Sequence, residues 1–293
     1  MPDNTPKTIS IDYNKCISCG ICVYVCPHDV LELKDGVPVM VGKCKVCGLC
    51  SASCVTKAIS MTAKKFTDEG LLDAELKDVV VFTCRRNVEK GKDYDATVIS
   101  LLCSARLDPY LIAEVFNRGA KAVVVSTCGS DCRNYPGSAE AKYKAEAVKM
   151  MLEKLGEDGE RVKVVEGNFE DAINELKAKN FDAVKNADVL KNALLNRDLR
   201  AIIARMRGIV EEGNVYGEKI DYEEYLKVLE DAADKAIKFS IISKNLNGGA
   251  KVSEIVSRAG LTYREVLDAI LEMKRKGLVE LEIDEEVVVS AKG

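Results

Sequence analysis

The stretch VVVSTCGSDCR, residues 123–133, runs from β-branched residues straight into two cysteines four positions apart. Three valines in a row, with no polar alternation, fit a strand buried on both faces, as in a parallel sheet covered by helices. Similar runs are VVVFTC (79–84), TVISLLC (97–103) and RVKVVEGN (161–168). Between and after them lie the amphipathic segments PYLIAEVFNRG (109–119), SAEAKYKAEAVKMMLEKLG (138–156) and NFEDAINELKAKN (168–180). The alternation predicts a small parallel α/β sheet domain over residues 66–184. Ligands of such sheets bind beyond the carboxyl ends of the strands. Cys84, Cys103 and Cys128 each close a strand-like run, and Cys132 follows one short turn later. The four thiols are therefore expected at one sheet edge. In order of preference they suit a [2Fe–2S] cluster, two disulfides or zinc. Arg85, Arg86, Arg106 and Arg133 flank them, and would favour thiolates if the loops converge. No G-x-G-x-x-G or G-x4-G-K-[ST] fingerprint occurs, so neither nucleotide motif is supported.

The other eight cysteines form two copies of C-x2-C-x2-C-x3-C: CISCGICVYVCP (16–27) and CKVCGLCSASCV (44–55). The flanks repeat as well, "DYNKC" against "MVGKC" and "HDVLEL" against "TKAISM". Such spacings wrap a tight loop around one cubane, with Gly20 and Gly48 relieving crowding. The fourth cysteine of each run ligates the other cluster. One [4Fe–4S] cluster is thus expected on Cys16, Cys19, Cys22 and Cys54, and a second on Cys44, Cys47, Cys50 and Cys26. Zinc is the competing reading of CxxC pairs. His28, the only histidine, follows the motif and reads as a surface loop residue, with tuning of the nearby cluster by hydrogen bonding as the lesser reading.

Composition agrees with a globular redox protein. Of 293 residues 47% are hydrophobic and 31% charged, and twelve are cysteine, more in keeping with metal or redox chemistry than with structural disulfides. Gln and Trp are absent while Lys and Glu are plentiful, a weak lean towards a thermophile. The net charge of −4 gives no general attraction to nucleic acid or anionic membrane. The first fifteen residues lack the apolar core of a signal peptide and no later run would span a bilayer, so a cytoplasmic location is expected.

From residue 185 to 293 the pattern is helical and ends in KVSEIVSRAG, LTYREVLDAILEMKRKG and LVELEIDEEVVVSAKG. That order of helix, turn, helix and hairpin resembles a winged helix-turn-helix domain. The resemblance makes TYREVLDAILEMKRKG the recognition helix of a DNA-binding member. Charge argues against that use. Residues 236–293 carry nine Lys/Arg and nine Asp/Glu, and the wing holds Glu280, Glu282, Asp284, Glu285 and Glu286, which phosphates repel. Lys274, Arg275 and Lys276 sit where the helix dipole alone accounts for them. Protein docking is preferred to DNA binding.

Two further resemblances bear on function. The first sixty residues resemble the bacterial dicluster ferredoxins, departing at Val55, where a second proline is usual. "VFTC", "LLCSARLDP", "GAKAVVVSTCGSDCRNY" and "YKAEAVKMMLEKLGEDGERVKVV" look like the delta subunit of methyl-viologen-reducing hydrogenase. That likeness implies a [2Fe–2S] cluster on Cys84, Cys103, Cys128 and Cys132. It also implies electron transfer between a hydrogenase or formate dehydrogenase and a flavin-containing heterodisulfide reductase A-like subunit. Asn87 departs from the family, which usually has a further cysteine there, as does Ala105, where glycine is common. The fold expected is an α/β multidomain chain: a ferredoxin-like dicluster module (1–65), the parallel sheet domain (66–184), and a helical plus winged-helix domain (185–293). The function expected is a non-catalytic iron–sulfur electron-transfer subunit. The rival is a redox-sensing transcription regulator, whose hallmark would be a basic recognition face.

Overall fold

A computed structural model describes residues 8–213, 216–246, 249–283 and 287–292, arranged as two compact units, 1–229 and 230–293. The chain begins with β1 (Ile9–Ile11), α1 (Ile21–Tyr24), β2 (Leu31–Lys34), β3 (Val37–Met40), α2 (Leu49–Ser53) and β4 (Ile59–Met61). β1 pairs antiparallel with β4, which brings the two ends of the cysteine-rich segment together. β2 and β3 form a hairpin turned by Asp35 and Gly36, both at positive φ. An Asp–Gly pair is the expected chemistry for that two-residue turn.

A single helical turn, α3 (Asp68–Leu71), leads into β5 (Val79–Cys84), β6 (Thr97–Leu101), α4 (Pro109–Asn117), β7 (Ala122–Thr127), α5 (Gly137–Lys154), β8 (Val162–Glu166) and α6 (Glu170–Ala178). The four strands make one sheet in the order β6-β5-β7-β8, every pairing parallel. Val79, Val81, Ala122 and Val124 bury one face against Phe169, Ile173 and Leu176 of the α6 segment. Val80, Phe82, Val123 and Val125 point the other way and are equally buried. Burial on both faces is why these strands read as unbroken apolar runs. β5 feeds β6 on one side and β7 lies on the other, so the order reverses beside β5, where ligands of such sheets bind.

Helices α7 (Ala187–Ala193) and α8 (Arg197–Arg207), with a π turn over Gly208–Glu212, also belong to the first unit. The boundary falls within the next helix, α9 (Tyr222–Lys244). Residues 185–229 therefore do not join the C-terminal end, as the segment 185–293 would have it. α8 buries Leu199, Ile203 and Met206, and sends two arginines, Arg200 and Arg207, into the first unit's interior.

The second unit contains β9 (Ala250–Lys251), α10 (Val252–Ala259), α11 (Tyr263–Arg275), β10 (Val279–Ile283) and β11 (Val287–Ala291). Its antiparallel sheet runs β10-β11-β9, over a core of Ile255, Val266, Ile270, Met273 and Val289. Thr262 and Glu265 form a capping box that starts α11. Along that helix Arg264 faces Asp268 at 3.8 Å and Lys276 faces Glu272 at 3.6 Å. Glu280 and Glu282 lie on β10, whereas Asp284, Glu285 and Glu286 are outside the described residues. Among the described residues no helix is long and apolar enough to cross a membrane.

Candidate metal centres

The two repeated loops fold alike. Gly20 and Gly48 stand at φ +72° and +80°, each just before a one-turn helix, so the left-handed turn the loop requires falls on glycine both times. Their surroundings differ. A Cβ at Gly20 would meet only Leu33, at 3.5 Å, whereas one at Gly48 would come within 2.5 Å of Arg106 Cδ. Gly48 is thus needed for the close approach of the middle module as well as for its own turn.

Cys16, Cys19, Cys22 and Cys54 line one cavity of about 330 Å³. Cys26, Cys44, Cys47 and Cys50 line another of about 360 Å³, with His28 beside them. Each cavity thus takes its fourth thiol from the other repeat. Backbone N–H groups point at the sulfurs: Ala58 N donates to Cys54 Sγ at 3.2 Å and Val46 N to Cys44 Sγ at 3.3 Å. Burial, reinforced by the thiols of Cys54 and Cys19, pushes Cys22 up to about 11. Burial also raises Cys47 and Cys50. Thiols so placed become ligands by releasing their protons to solvent as a metal supplies the missing positive charge. Cys19 is exposed, so the first cavity reaches the surface.

In the middle module β5, β6 and β7 each end in a single 3-10 turn, over Arg85–Asn87, Ser104–Arg106 and Gly129–Asp131. Those turns carry Cys84, Cys103, Cys128 and Cys132 at the carboxyl edge of the sheet. Cys84 contacts Cys128, Cys128 contacts Cys132, and Cys132 adjoins Cys103. None of the twelve cysteines is paired in a disulfide. Burial raises Cys103 to about 12 and Cys128, helped by Cys84, to about 11. Cys132 moves the other way. Burial would raise it, but the polar groups of the segment from Asn134 to Ser138 around its sulfur hold it below its ordinary value. It also sits at the start of the 18-residue α5, where the helix dipole favours negative charge.

Gly137 closes this site. A Cβ there would lie 2.9 Å from Cys103 Sγ and 3.3 Å from Cys132 Sγ. Ordinarily Gly→Ala within a helix stabilises by roughly 0.5–1 kcal/mol. Here Gly137→Ala is expected to lower the iron retained by the middle module and to leave the first two cavities loaded. Metal analysis with EPR on the variant checks this, and retention equal to wild type would refute it.

The arginines behave differently from the expectation of four guanidiniums around these thiols. Arg85, Arg86 and Arg133 are exposed, and Arg86 donates to the Asp131 carbonyl at 2.8 Å, bracing the Cys132 loop. Arg106 is buried but turns towards the first module, pairing with Asp68 at 2.5 Å. Asn87, where a further cysteine is usual, donates from Nδ2 to Ser126 Oγ and Thr127 O, both at 2.9 Å. It pins the end of β7 instead of offering a ligand.

A buried ion-pair knot locks the modules together. Arg200 of α8 pairs with Asp108 at 2.9 Å and donates to the carbonyls of Cys54 and Ala52 at 2.9–3.1 Å. Lys57, three residues after Cys54, reaches Asp108 at 3.0 Å and Asp68 at 2.5 Å. Asp108 also caps α4 by accepting from Tyr110 N. As a result Cys47, Cys103 and Cys132 share one buried cluster with Ile21, Leu49 and Ala204. The loop of residues 44–50 thus lies against the strand-end thiols. Sequence reasoning did not reach Asn134, Gly137, Ser138, Asp108 or Arg200. Of these only Asp108 carries a local signal, since an Asp–Pro pair is a familiar helix start.

Known proteins share both kinds of module. Residues 79–185 match the family of the methyl-viologen-reducing hydrogenase delta subunit, and residues 9–32 match the 4Fe-4S binding domain. The first module accordingly holds at least one [4Fe–4S] cluster. Over 181 residues, 55% of the chain, the sequence is 29% identical to the A subunit of the ferredoxin:CoB-CoM heterodisulfide reductase of Methanosarcina mazei. The chain spans only 23% of that protein's length. A 60-residue segment, 20% of the chain, is 43% identical to a ferredoxin of Pyrobaculum islandicum and covers 56% of it. Another of 55 residues, 19% of the chain, is 34% identical to pyruvate synthase subunit PorD of Methanothermobacter marburgensis and covers 65% of it.

Proposed function

We propose that this chain is a one-electron relay with three iron–sulfur centres. Cys16, Cys19, Cys22 and Cys54 hold one [4Fe–4S] cluster, and Cys26, Cys44, Cys47 and Cys50 hold the second. Cys84, Cys103, Cys128 and Cys132 hold a [2Fe–2S] cluster. The observation that carries this reading is the shared burial of Cys47 with Cys103 and Cys132, which sets the dicluster module directly against the strand-end thiols. Clusters bound there supply one-electron redox chemistry, and the protein's part is to space them, exclude water and donate hydrogen bonds to their sulfurs.

The partners in this reading are a flavin-containing protein of the heterodisulfide reductase A type and a hydrogenase- or formate dehydrogenase-type oxidoreductase, in the cytoplasm. The similarity to the A chain of one such reductase and to a hydrogenase delta subunit supports that pairing. The second unit then serves as a winged-helix-like docking module. A DNA-reading role is disfavoured, because basic side chains of α11 already face acidic neighbours on the same helix. Anaerobic iron and sulfide analysis tests the relay. About ten irons per chain are expected from two cubanes and one [2Fe–2S] centre, against about eight if the strand-end thiols carry none.

A further inference from the structure

One side-chain bridge joins the second cysteine set to the strand-end set. His28 follows Cys26 and Pro27 and lies beside the cavity of that set. Its Nε2 stands 3.0 Å from Asn134 Oδ1, across 106 residues of chain. Asn134 stands two residues after Cys132, in the loop that leads into α5, whose first residue Gly137 packs against the Cys103 and Cys132 sulfurs. An amide oxygen only accepts, so His28 Nε2 carries the proton and donates to Asn134 Oδ1. The Asn134 carbonyl in turn accepts from Gly137 N at 2.7 Å, so the bridge is anchored where α5 begins.

We propose that His28 and Asn134 are positioning residues for electron transfer between the two sites, holding the Cys103–Cys132 edge at a fixed separation from the Cys26 loop. This rests on the relay reading above. In the step concerned, one electron passes between the centre on Cys26, Cys44, Cys47 and Cys50 and the centre on Cys84, Cys103, Cys128 and Cys132, in either direction. The centre that loses it is oxidised and the one that gains it is reduced. No bond forms or breaks, and no proton need move. The bridge acts on geometry, because it is the polar side-chain link between two loops that otherwise meet through the apolar contacts around Leu49 and Ala105. Partners in the outer shell of metal sites commonly matter on this scale, about 10–100-fold.

The test uses the full chain purified anaerobically, as wild type, His28→Ala, His28→Gln and Asn134→Ala. Iron content and EPR are recorded first. Then the rate of electron redistribution between the centres is followed after flash photoreduction. Loss of the His28 donor is expected to slow redistribution roughly tenfold or more, with all three EPR signatures retained. His28→Gln, which keeps a donor, is expected to recover most of the rate, and Asn134→Ala to resemble His28→Ala. Redistribution at the wild-type rate in His28→Ala overturns the proposal. So does equal slowing by Ala and Gln, which would make ring volume the cause. Should His28→Ala lose the strand-end centre outright, the Gln variant decides alone. Failure of the relay reading looks different, because wild type itself would then lack the third EPR signature.

Discussion

Replacing Cys128 and Cys132 together by serine is expected to abolish one EPR signal of [2Fe–2S] type while both cubane signals persist. Iron should fall by about two atoms per chain, from about ten to about eight. Serine is nearly the same size as cysteine, but it lacks the thiolate these clusters require. Cys128 and Cys132 bracket one 3-10 turn at the end of β7, and without them only Cys84 and Cys103 remain, on two different strands. Two ligands from separate strand ends do not complete a four-thiolate site. Asn87, where a further cysteine is usual, is committed to Ser126 and Thr127, and the neighbouring thiol, Cys47, belongs to the dicluster module. The other eight cysteines line cavities in a different module and should be untouched. Unchanged iron in the double variant would sink the third centre.

Asp108→Asn should have the largest effect on stability, about 3–5 kcal/mol, the usual cost of leaving a buried charge without its partner. The substitution keeps the α4 cap, since asparagine also caps helices, and removes the counter-charge of Arg200 and Lys57. Arg200 and Asp108 are 4% and 1% exposed, so solvent cannot take over. The measurement is the anaerobic denaturant midpoint of the first unit at matched iron loading, and an unchanged midpoint refutes the claim. Acid should do the same thing. Burial would raise the Asp108 carboxyl, but Arg200 and Lys57 hold it well below the usual carboxylate range. A depressed folded-state pKa stabilises fully above the unfolded value of about 3.9, and that contribution drains away as pH falls further. The wild-type midpoint should therefore drop on acidification below that value more steeply than that of Asp108→Asn.

Much of this architecture is legible along the chain. Unbroken valine runs mark β5 and β7 because both faces of those strands are buried, and the helix pattern between them implies the parallel order. The 28-residue repeat exposes the eight cysteines of the first module, since short spacings suffice to identify loops that wrap a cluster. The boundary of the last domain is less legible. α8 reads as one more amphipathic helix, and nothing local says that Arg200 inserts into the first unit. Arg106 misleads for a related reason. Three residues from Cys103, it looks like a companion of the thiols, yet Asp68 captures it from another element.

The sequence by itself determined what depends on neighbours along the chain: strand and helix periods, cysteine spacing, and the supply of thiols at three strand ends. Tertiary structure alone decided that Cys47 lies against Cys103 and Cys132, and that His28 reaches Asn134. Those contacts join residues that no local pattern links. They exist because buried Asp108 and Arg200 neutralise one another, with Lys57 shared between Asp108 and Asp68, and that knot ties the two modules together.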